Sequence, residues 1–303
     1  MKITLRQLQI FIAISKSGST AAAADLVSLS QSATSASLKE LESVLDAELF
    51  DRIGKKLVLN ENGRQILPLA MQAIDISNTI EDQFIENTQE VKATLHIGAS
   101  TTIGNYLLPQ LLSEYSKKVV ITPKIEIANT SSIVSAVANF EVDFGLIEGP
   151  CHEPDLLVEK WIEDELIIVC SKNHLLATKN RKSKITKQEL ADAQWLLREP
   201  KSGTREMVEL LLSAHIDSVY SAGEFSNSEA IKHSAAEGLG LACLSRSAVS
   251  DLVRLGKLIE LSTTLPTLSR NFYIIQNRRK VISSWNQHFL DHCRKLSKSK
   301  KLL

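Results

Sequence analysis

Three hydrophobic rhythms follow one another along this chain. In the first, over residues 4–45, apolar positions recur at helical spacing. Leu5, Leu8, Phe11 and Ile12 share one face of a helix over 4–16. Ser19 or Thr20 can cap a second helix, which begins with the small run Ala21 to Ala24. Ser30 is the natural cap of a third, with Ala33, Leu38, Leu41 and Leu45 facing inward. Leu26 and Leu29 flank the intervening turn and are expected to bury between the helices. Leu49, Phe50, Leu57 and Val58 then bracket DRIGKK, the pattern of a short hairpin.

The second rhythm runs from Gly63 to about Asn87. It contains no further glycine, and its one proline, Pro68, sits near the start, where a helix tolerates it. Ile66, Ala70, Ala73, Ser77, Ile80 and Phe84 alternate steps of four and three, a heptad seam suited to pairing with a second copy. A helix of this length spans about 35 Å.

Beyond Val91 the period shortens. TLHIGAS (94–100), KIEIAN (124–129), DFGLIEG (143–149), ELIIVCS (165–171), QWLLREP (194–200), SAGEFS (221–226), LACLS (241–245) and FYIIQ (272–276) predict strands. Helices are expected near 104–116, 131–139, 203–214, 228–237 and 284–295. The alternation implies a mostly parallel sheet, and its extent implies two α/β lobes in one chain.

Candidate chemistry sits at two places. Residues 18–42 form a helix-turn-helix pattern, which places its last helix in a DNA major groove. The outer face of that helix carries Ser30, Gln31, Ser32, Thr34, Ser35, Ser37 and Lys39, short polar groups able to reach base edges or phosphates. Thr20 joins this set, and Arg52, Lys55 and Lys56 at the hairpin tip suit a phosphate backbone. The second place is the carboxyl ends of the strands, where open α/β sheets bind ligands. Ser100, Thr101 and Thr102 end the first strand, and Asn129 and Thr130 the second. Ser202, Gly203, Thr204 and Arg205 follow QWLLREP, and Asn227 and Ser228 open a later helix. Hydroxyls beside helix amides make a site for a small anion. Glu148, after the third strand, either accepts a hydrogen bond from a ligand that keeps a proton or faces solvent.

Charge sharpens the first of these. The chain balances 35 basic against 35 acidic residues. Residues 1–64 are nearly neutral too, so a single head attracts DNA poorly, because counterion release supplies most non-specific affinity. The head therefore needs a second copy on the same double-stranded DNA.

LRQLQIF (5–11), SQSATSASLKELE (30–42) and ELFDRIGKKLVLNENG (48–63) together resemble the LysR-type transcriptional regulators, and the resemblance extends over nearly the whole chain. GASTTIGNYLLP (98–109), IEGPCH (147–152), LREPKSGTRE (197–206) and NSEAIKHSAAEGLGLACLS (227–245) are similar to the YeiE-like and CysL-like, sulfur-oxyanion-responsive members. The resemblance implies an all-α winged helix-turn-helix (1–61) and a dimerising linker helix (62–89). It also implies an α/β two-lobed, periplasmic-binding-protein-like (type 2) effector domain (90–303), with lobe I at about 90–161 and 268–303 and lobe II at about 162–267. Homodimers or homotetramers on promoter DNA, contact with RNA polymerase, and sulfite or a related oxyanion as effector are the further expectations. Ser32 and Thr34 stand where many relatives carry proline and valine, so the operator does not carry over.

Other chemistry is not encouraged. Cys151, Cys170, Cys243 and Cys293 form no CxxC pair, so neither metal nor disulfide is expected, and no cofactor is called for. Ser202 and Cys151 lack a nucleophile elbow or a placed base, which argues against an enzyme. The N-terminus lacks a signal peptide's apolar run, and no apolar stretch reaches the ~18 residues of a membrane span, so a cytoplasmic protein is expected.

Overall fold

The computed structural model describes residues 2–85, 93–180, 183–216 and 219–298. The chain forms two compact units, Met1–Val91 with Arg278–Gln287, and Lys92–Asn277 with His288–Leu303.

The first unit holds α1 (Leu5–Ser17), α2 (Thr20–Leu26), α3 (Gln31–Leu45), β1 (Phe50–Ile53), β2 (Lys56–Leu59) and α4 (Glu61–Ile85). Local chemistry sets each boundary. Thr4 and Gln7 make a reciprocal capping box at the start of α1. Gly18, at φ 70°, ends that helix in the left-handed conformation. Ser19 and Ser30 accept from the third amide of α2 and α3. Phe11 and Phe50 meet with ring centroids 5.5 Å apart inside a core that also takes Ile10, Ile14, Leu38, Leu41 and Leu49. The Leu57 amide donates to the Gly18 carbonyl at 2.8 Å and ties the hairpin to the α1–α2 turn.

Two expectations about this unit fail on helix phase. Leu26 and Leu29 do not bury between the helices; Leu26 is 66% exposed. Small Ala23 and Ala24 fill that space instead, because they allow close helix approach. On α4, Ile66 and Ala70 pack into the head core and leave the seam. The exposed apolar stripe is Leu69, Ile76 and Ile80, with half-buried Ala73 between them. It keeps the alternation of four and three, but in a different register. The Phe84 side chain and residues 86–89 lie outside the described residues.

The second unit begins with β3 (Ala93–Ser100), a wide π-type turn (Ile103–Leu107), α5 (Leu108–Ser116), β4 (Ile121–Ala128), α6 (Thr130–Ala138) and β5 (Phe144–Glu148). Then come β6 (Leu156–Ser171), α7 (Leu175–Asn180), α8 (Lys187–Ala191), β7 (Gln194–Arg198), α9 (Gly203–Ser213), β8 (Tyr220–Phe225) and α10 (Ser228–Ala236). It closes with β9 (Ala242–Ser245), α11 (Arg246–Arg254), β10 (Leu258–Glu260), β11 (Leu268–Asn277) and α12 (Ser284–Lys298). The main sheet runs β10-β6-β11-β5-β3-β4, with β9 also on β6, and β7 pairs β8 separately.

This is not the mostly parallel sheet expected. Pairing is parallel between β3 and β4, β3 and β5, and β7 and β8, whereas β6 and β11 run antiparallel from Leu166↔Leu268 to Leu156↔Asn277. These two strands carry the chain from one lobe to the other. β6 starts at Leu156, not Glu165, because its first half is amphipathic and charged and reads locally as loop. One core surrounds Ile133, Val137 and Ile147. Two others cover the faces of the second lobe, around Trp195 and Leu212 and around Ile231 and Leu244.

Candidate functional site

In the head, α3 presents Gln31, Ser32 and Lys39 as exposed side chains, with Ser35 and Ser37 half-buried. Ser30 is exposed, its hydroxyl 3.2 Å from the Ala33 amide and 3.0 Å from Ser32 Oγ. Thr20 is half-buried at the first turn of α2, and Arg52, Lys55 and Lys56 are exposed on the β1–β2 hairpin. Thr34 is a correction. It is fully buried, and its hydroxyl donates to the Ser30 carbonyl at 3.0 Å. Ala33 is exposed instead. The inward stripe is Thr34, Leu38, Leu41 and Leu45, at steps of four, three and four. Thr34→Val is therefore expected to cost about 1 kcal/mol or less in head stability and to leave operator preference unchanged. Urea unfolding and a base-substituted operator set read the two effects, and a changed base preference would return Thr34 to the DNA face.

In the second unit, the ends of β3, β4 and β5 meet the start of α9. Asn129 Oδ1 accepts from the Ser132 amide at 2.9 Å and starts α6, and Ser202 starts α9 by accepting from the Arg205 amide at 3.5 Å. Asn227 accepts from the Glu229 and Ala230 amides at the start of α10. Thr130 Oγ1 donates to the Glu148 carbonyl at 2.9 Å, and the Ser131 amide donates to the Lys201 carbonyl at 3.5 Å. A Cβ on Gly203 would collide with the Glu148 carbonyl oxygen and come within 2.5 Å of Thr130 Oγ1, so only glycine fits. Lys201 just before it holds φ 69°, a strained value for a residue with a side chain. Ser100 is fully buried, and its hydroxyl has no hydrogen-bond partner among the described residues. Thr101 donates to the Ala128 carbonyl at 3.3 Å.

Glu148, Thr102 and Thr204 form a cluster that the sequence did not reveal. Arg270, on β11, sits at its centre with its side chain fully buried. Its Nη1 lies 2.6 Å from Glu148 Oε2, and its Nε lies 2.8 Å from Asp164 Oδ2. Glu148 Oε2 also accepts from Thr102 Oγ1 at 2.7 Å and Thr204 Oγ1 at 2.8 Å. Asp164 Oδ1 accepts from Ser245 Oγ at 2.6 Å. Glu148 is thus not solvent-facing. Arg270, Thr102 and Thr204 converge on its Oε2, whereas its Oε1 accepts from the Thr102 amide at 3.3 Å.

The two carboxylates share one cation but respond differently. Burial would raise Glu148, yet the Arg270 charge and the Thr102 and Thr204 hydrogen bonds hold it below the usual carboxylate range. Burial pushes Asp164 up, and the Arg270 charge and the Ser245 hydrogen bond do not fully offset it. The difference has a cause in the geometry. Glu148 is the nearer to the guanidinium and receives more hydrogen bonds, and its negative charge adds to the rise at Asp164.

Two predicted residues serve local structure. Ser228 Oγ accepts from the buried Arg198 Nη1 at 2.8 Å. Arg205 donates Nη1 to the Arg198 carbonyl at 2.7 Å and pairs with Glu209. Burial also pushes the Cys151 thiol up, which disfavours its thiolate. Among the described residues no group of three or more His, Cys, Asp or Glu could hold a metal, and no helix is long and apolar enough to cross a membrane.

A winged helix-turn-helix followed by a two-lobed ligand-binding unit defines a DNA-binding regulator with an effector domain. Residues 5–64 match the bacterial regulatory helix-turn-helix protein, lysR family, and residues 88–298 match the LysR substrate binding domain. The chain belongs to the LysR family of transcriptional regulators, which are not enzymes. It is 42% identical over 294 residues to the HTH-type transcriptional regulator YeiE of Escherichia coli K12, covering 97% of this chain and 98% of that protein. A full-length OxyR variant from Pseudomonas aeruginosa shares the fold, with TM-score 0.79 at 21% identity over 100% of this chain and 97% of that one. The CcmR regulatory domain of Synechocystis PCC6803, solved in complex with 2-PG, matches with TM-score 0.63 at 28% identity over 69% of this chain and 99% of that one.

Proposed function

We propose that this regulator responds to a small anion, sulfite or a related sulfur oxyanion, bound where the ends of β3 and β4 meet the start of α9. The observation that carries the reading is the Ser100 hydroxyl, buried without a partner among the described residues at the end of β3. Such a group is costly to leave unsatisfied, and a bound oxygen would supply its missing partner. Thr101, Asn129, Thr130, Ser202 and Gly203 line the same meeting point, where the helix starts of α6 and α9 favour negative charge. The match to the LysR substrate binding domain and the ligand-bound state of the CcmR domain support an effector role for this unit.

The exposed stripe Leu69, Ile76 and Ile80 on α4 is the surface we assign to dimer contact. It supplies the second head that a near-neutral DNA-binding unit needs. Pairing of dimers into tetramers on promoter DNA would let the effector change the placement of heads, and contact with RNA polymerase would convert that change into transcription. Thr20, Gln31, Ser32, Ser35, Ser37, Lys39, Arg52, Lys55 and Lys56 are the groups we place on DNA.

Thermal unfolding of the full chain tests the effector. Sulfite at about one hundred times its Kd is expected to add about 2.7 kcal/mol, with sulfate and thiosulfate weaker. No shift with any sulfur oxyanion would remove this class of effector and leave the family assignment intact.

A further inference from the structure

The connection between the last strand and the last helix changes company. β11 belongs to the second unit up to Asn277, Arg278–Gln287 groups with the first, and the chain returns to the second at His288. α12 therefore begins in one unit and continues in the other as a single helix, Ser284–Lys298. We propose, on the effector and dimer roles given above, that Arg278–Gln287 is a coupling clasp. It grips α4 through Lys280 and Asp75 and passes the state of the buried charge cluster to the DNA-binding head.

The grip is a covered charge. The Lys280 side chain is 6% exposed, and its Nζ lies 3.1 Å from Asp75 Oδ2 on α4. An ammonium so covered needs its counter-charge at hand, so the pair fixes where the segment sits on α4. Asp75 stands directly before Ile76, part of the exposed stripe assigned to dimer contact. Upstream on the same helix, Ile66 and Ala70 pack into the head core. A helix is a stiff element, so a pull at Asp75 re-aims both the stripe and the head.

Both flanks of the segment are tied to the strands that hold the cluster. Upstream, β11 carries Arg270 and pairs with β5 from Phe272↔Glu148 to Ile275↔Gly145. Downstream, Phe289 on α12 is fully buried, its ring centroid 6.2 Å from that of Phe144 and 5.2 Å from that of Tyr115 on α5. Phe144 and Glu148 are the two ends of β5. A shift of β5 or β11 thus reaches the segment by two routes, the strand itself and the Phe289 contact. Coupling of this kind shows itself as non-additivity between distant substitutions.

A double-mutant cycle on DNA affinity tests the clasp with no effector added. Thr204→Val removes one hydrogen bond to Glu148 Oε2 in the second unit. The probe is a DNA duplex selected from random sequence by the parent protein. In the parent background Thr204→Val is expected to change its Kd about fivefold, the worth of one hydrogen bond. In the Lys280→Gln background the same substitution is expected to change it by less than about twofold. Exchanging the charges, Asp75→Lys with Lys280→Asp, keeps the pair and is expected to restore the response to Thr204→Val. Equal responses in the parent and Lys280→Gln backgrounds, no response in either, or no restoration by the exchange would overturn the proposal. Sulfite affinity of Lys280→Gln is expected to match the parent. If neither protein binds sulfite, the cycle still reads the clasp and only the identity of the effector is lost.

Discussion

Arg270→Met is expected to destabilise the effector unit by about 3–5 kcal/mol at neutral pH, because it leaves two buried carboxylates without their cation. Urea unfolding followed through Trp161 and Trp195 fluorescence measures the loss. The deficit should depend on pH in a definite direction. In the parent protein Glu148 is held low, so its contribution is present above its unfolded pKa and is lost as the pH falls. Asp164 is pushed up, so its contribution is present below its unfolded pKa and is lost as the pH rises through its folded value. Without Arg270 both groups rise. Each then favours the folded state only when protonated, and the deficit should narrow as the pH drops from about 7 to about 5. Neutralising the whole cluster by adding Glu148→Gln and Asp164→Asn should recover most of the loss, since a buried charge network often contributes little net stability. A deficit below about 1 kcal/mol that ignores pH would mean that the carboxylates are solvated when the guanidinium is gone.

Gly203→Ala carries the second large effect. The added methyl meets the Glu148 carbonyl oxygen, and the Glu148 carbonyl carbon is only 2.8 Å away. Backbone cannot swing aside as a flexible side chain can, so α9 must move away from β5. The expected cost is about 3 kcal/mol, at the upper end for overpacking. Displacement of α9 also separates Thr204 from Glu148 and spreads the proposed anion site. Sulfite affinity is therefore expected to fall at least about tenfold, since about 1.4 kcal/mol lost from binding is enough. The same variant should retain the head, whose elements belong to the other unit. Calorimetric titration and operator binding by the full chain report the two halves of this expectation. Unchanged sulfite affinity would place the anion elsewhere.

The helix-turn-helix was legible because its determinants are local. Caps at Ser19 and Ser30, small residues on α2 and a polar α3 face lie within one short window. Phase within α3 was harder. Alanine and threonine are both small, and hydropathy alone put Ala33 inside and Thr34 outside. The backbone places Thr34 four residues before Leu38, and its hydroxyl is satisfied by the Ser30 carbonyl, so it buries at little cost. The α4 seam slipped for a related reason. Apolar residues of that helix serve both the head core and the exposed stripe, and periodicity does not say which.

The strand-end hydroxyls were also visible in sequence, yet several proved to have protein partners. Thr102 and Thr204 face Glu148, and Ser228 faces Arg198. Arg270 was missed entirely. It stands 106 positions from Asp164 and in a strand, where a lone arginine reads as a solvated charge. Asp164 was hidden too, because WIED resembles a polar loop until β11 pairs with it.

From the sequence alone came the order of parts: a reading head, a long helix and an α/β effector unit, with helix starts and strand ends at the right places. These follow from periodicity and capping, which act over a few residues. Tertiary structure alone decided how charge is arranged inside the effector unit. Pairing of β6 with β11 brings Arg270 beside Asp164, and pairing of β11 with β5 brings it to Glu148. A buried charge is tolerated only beside its counter-charge, and that neighbour is set by strand register rather than by spacing along the chain.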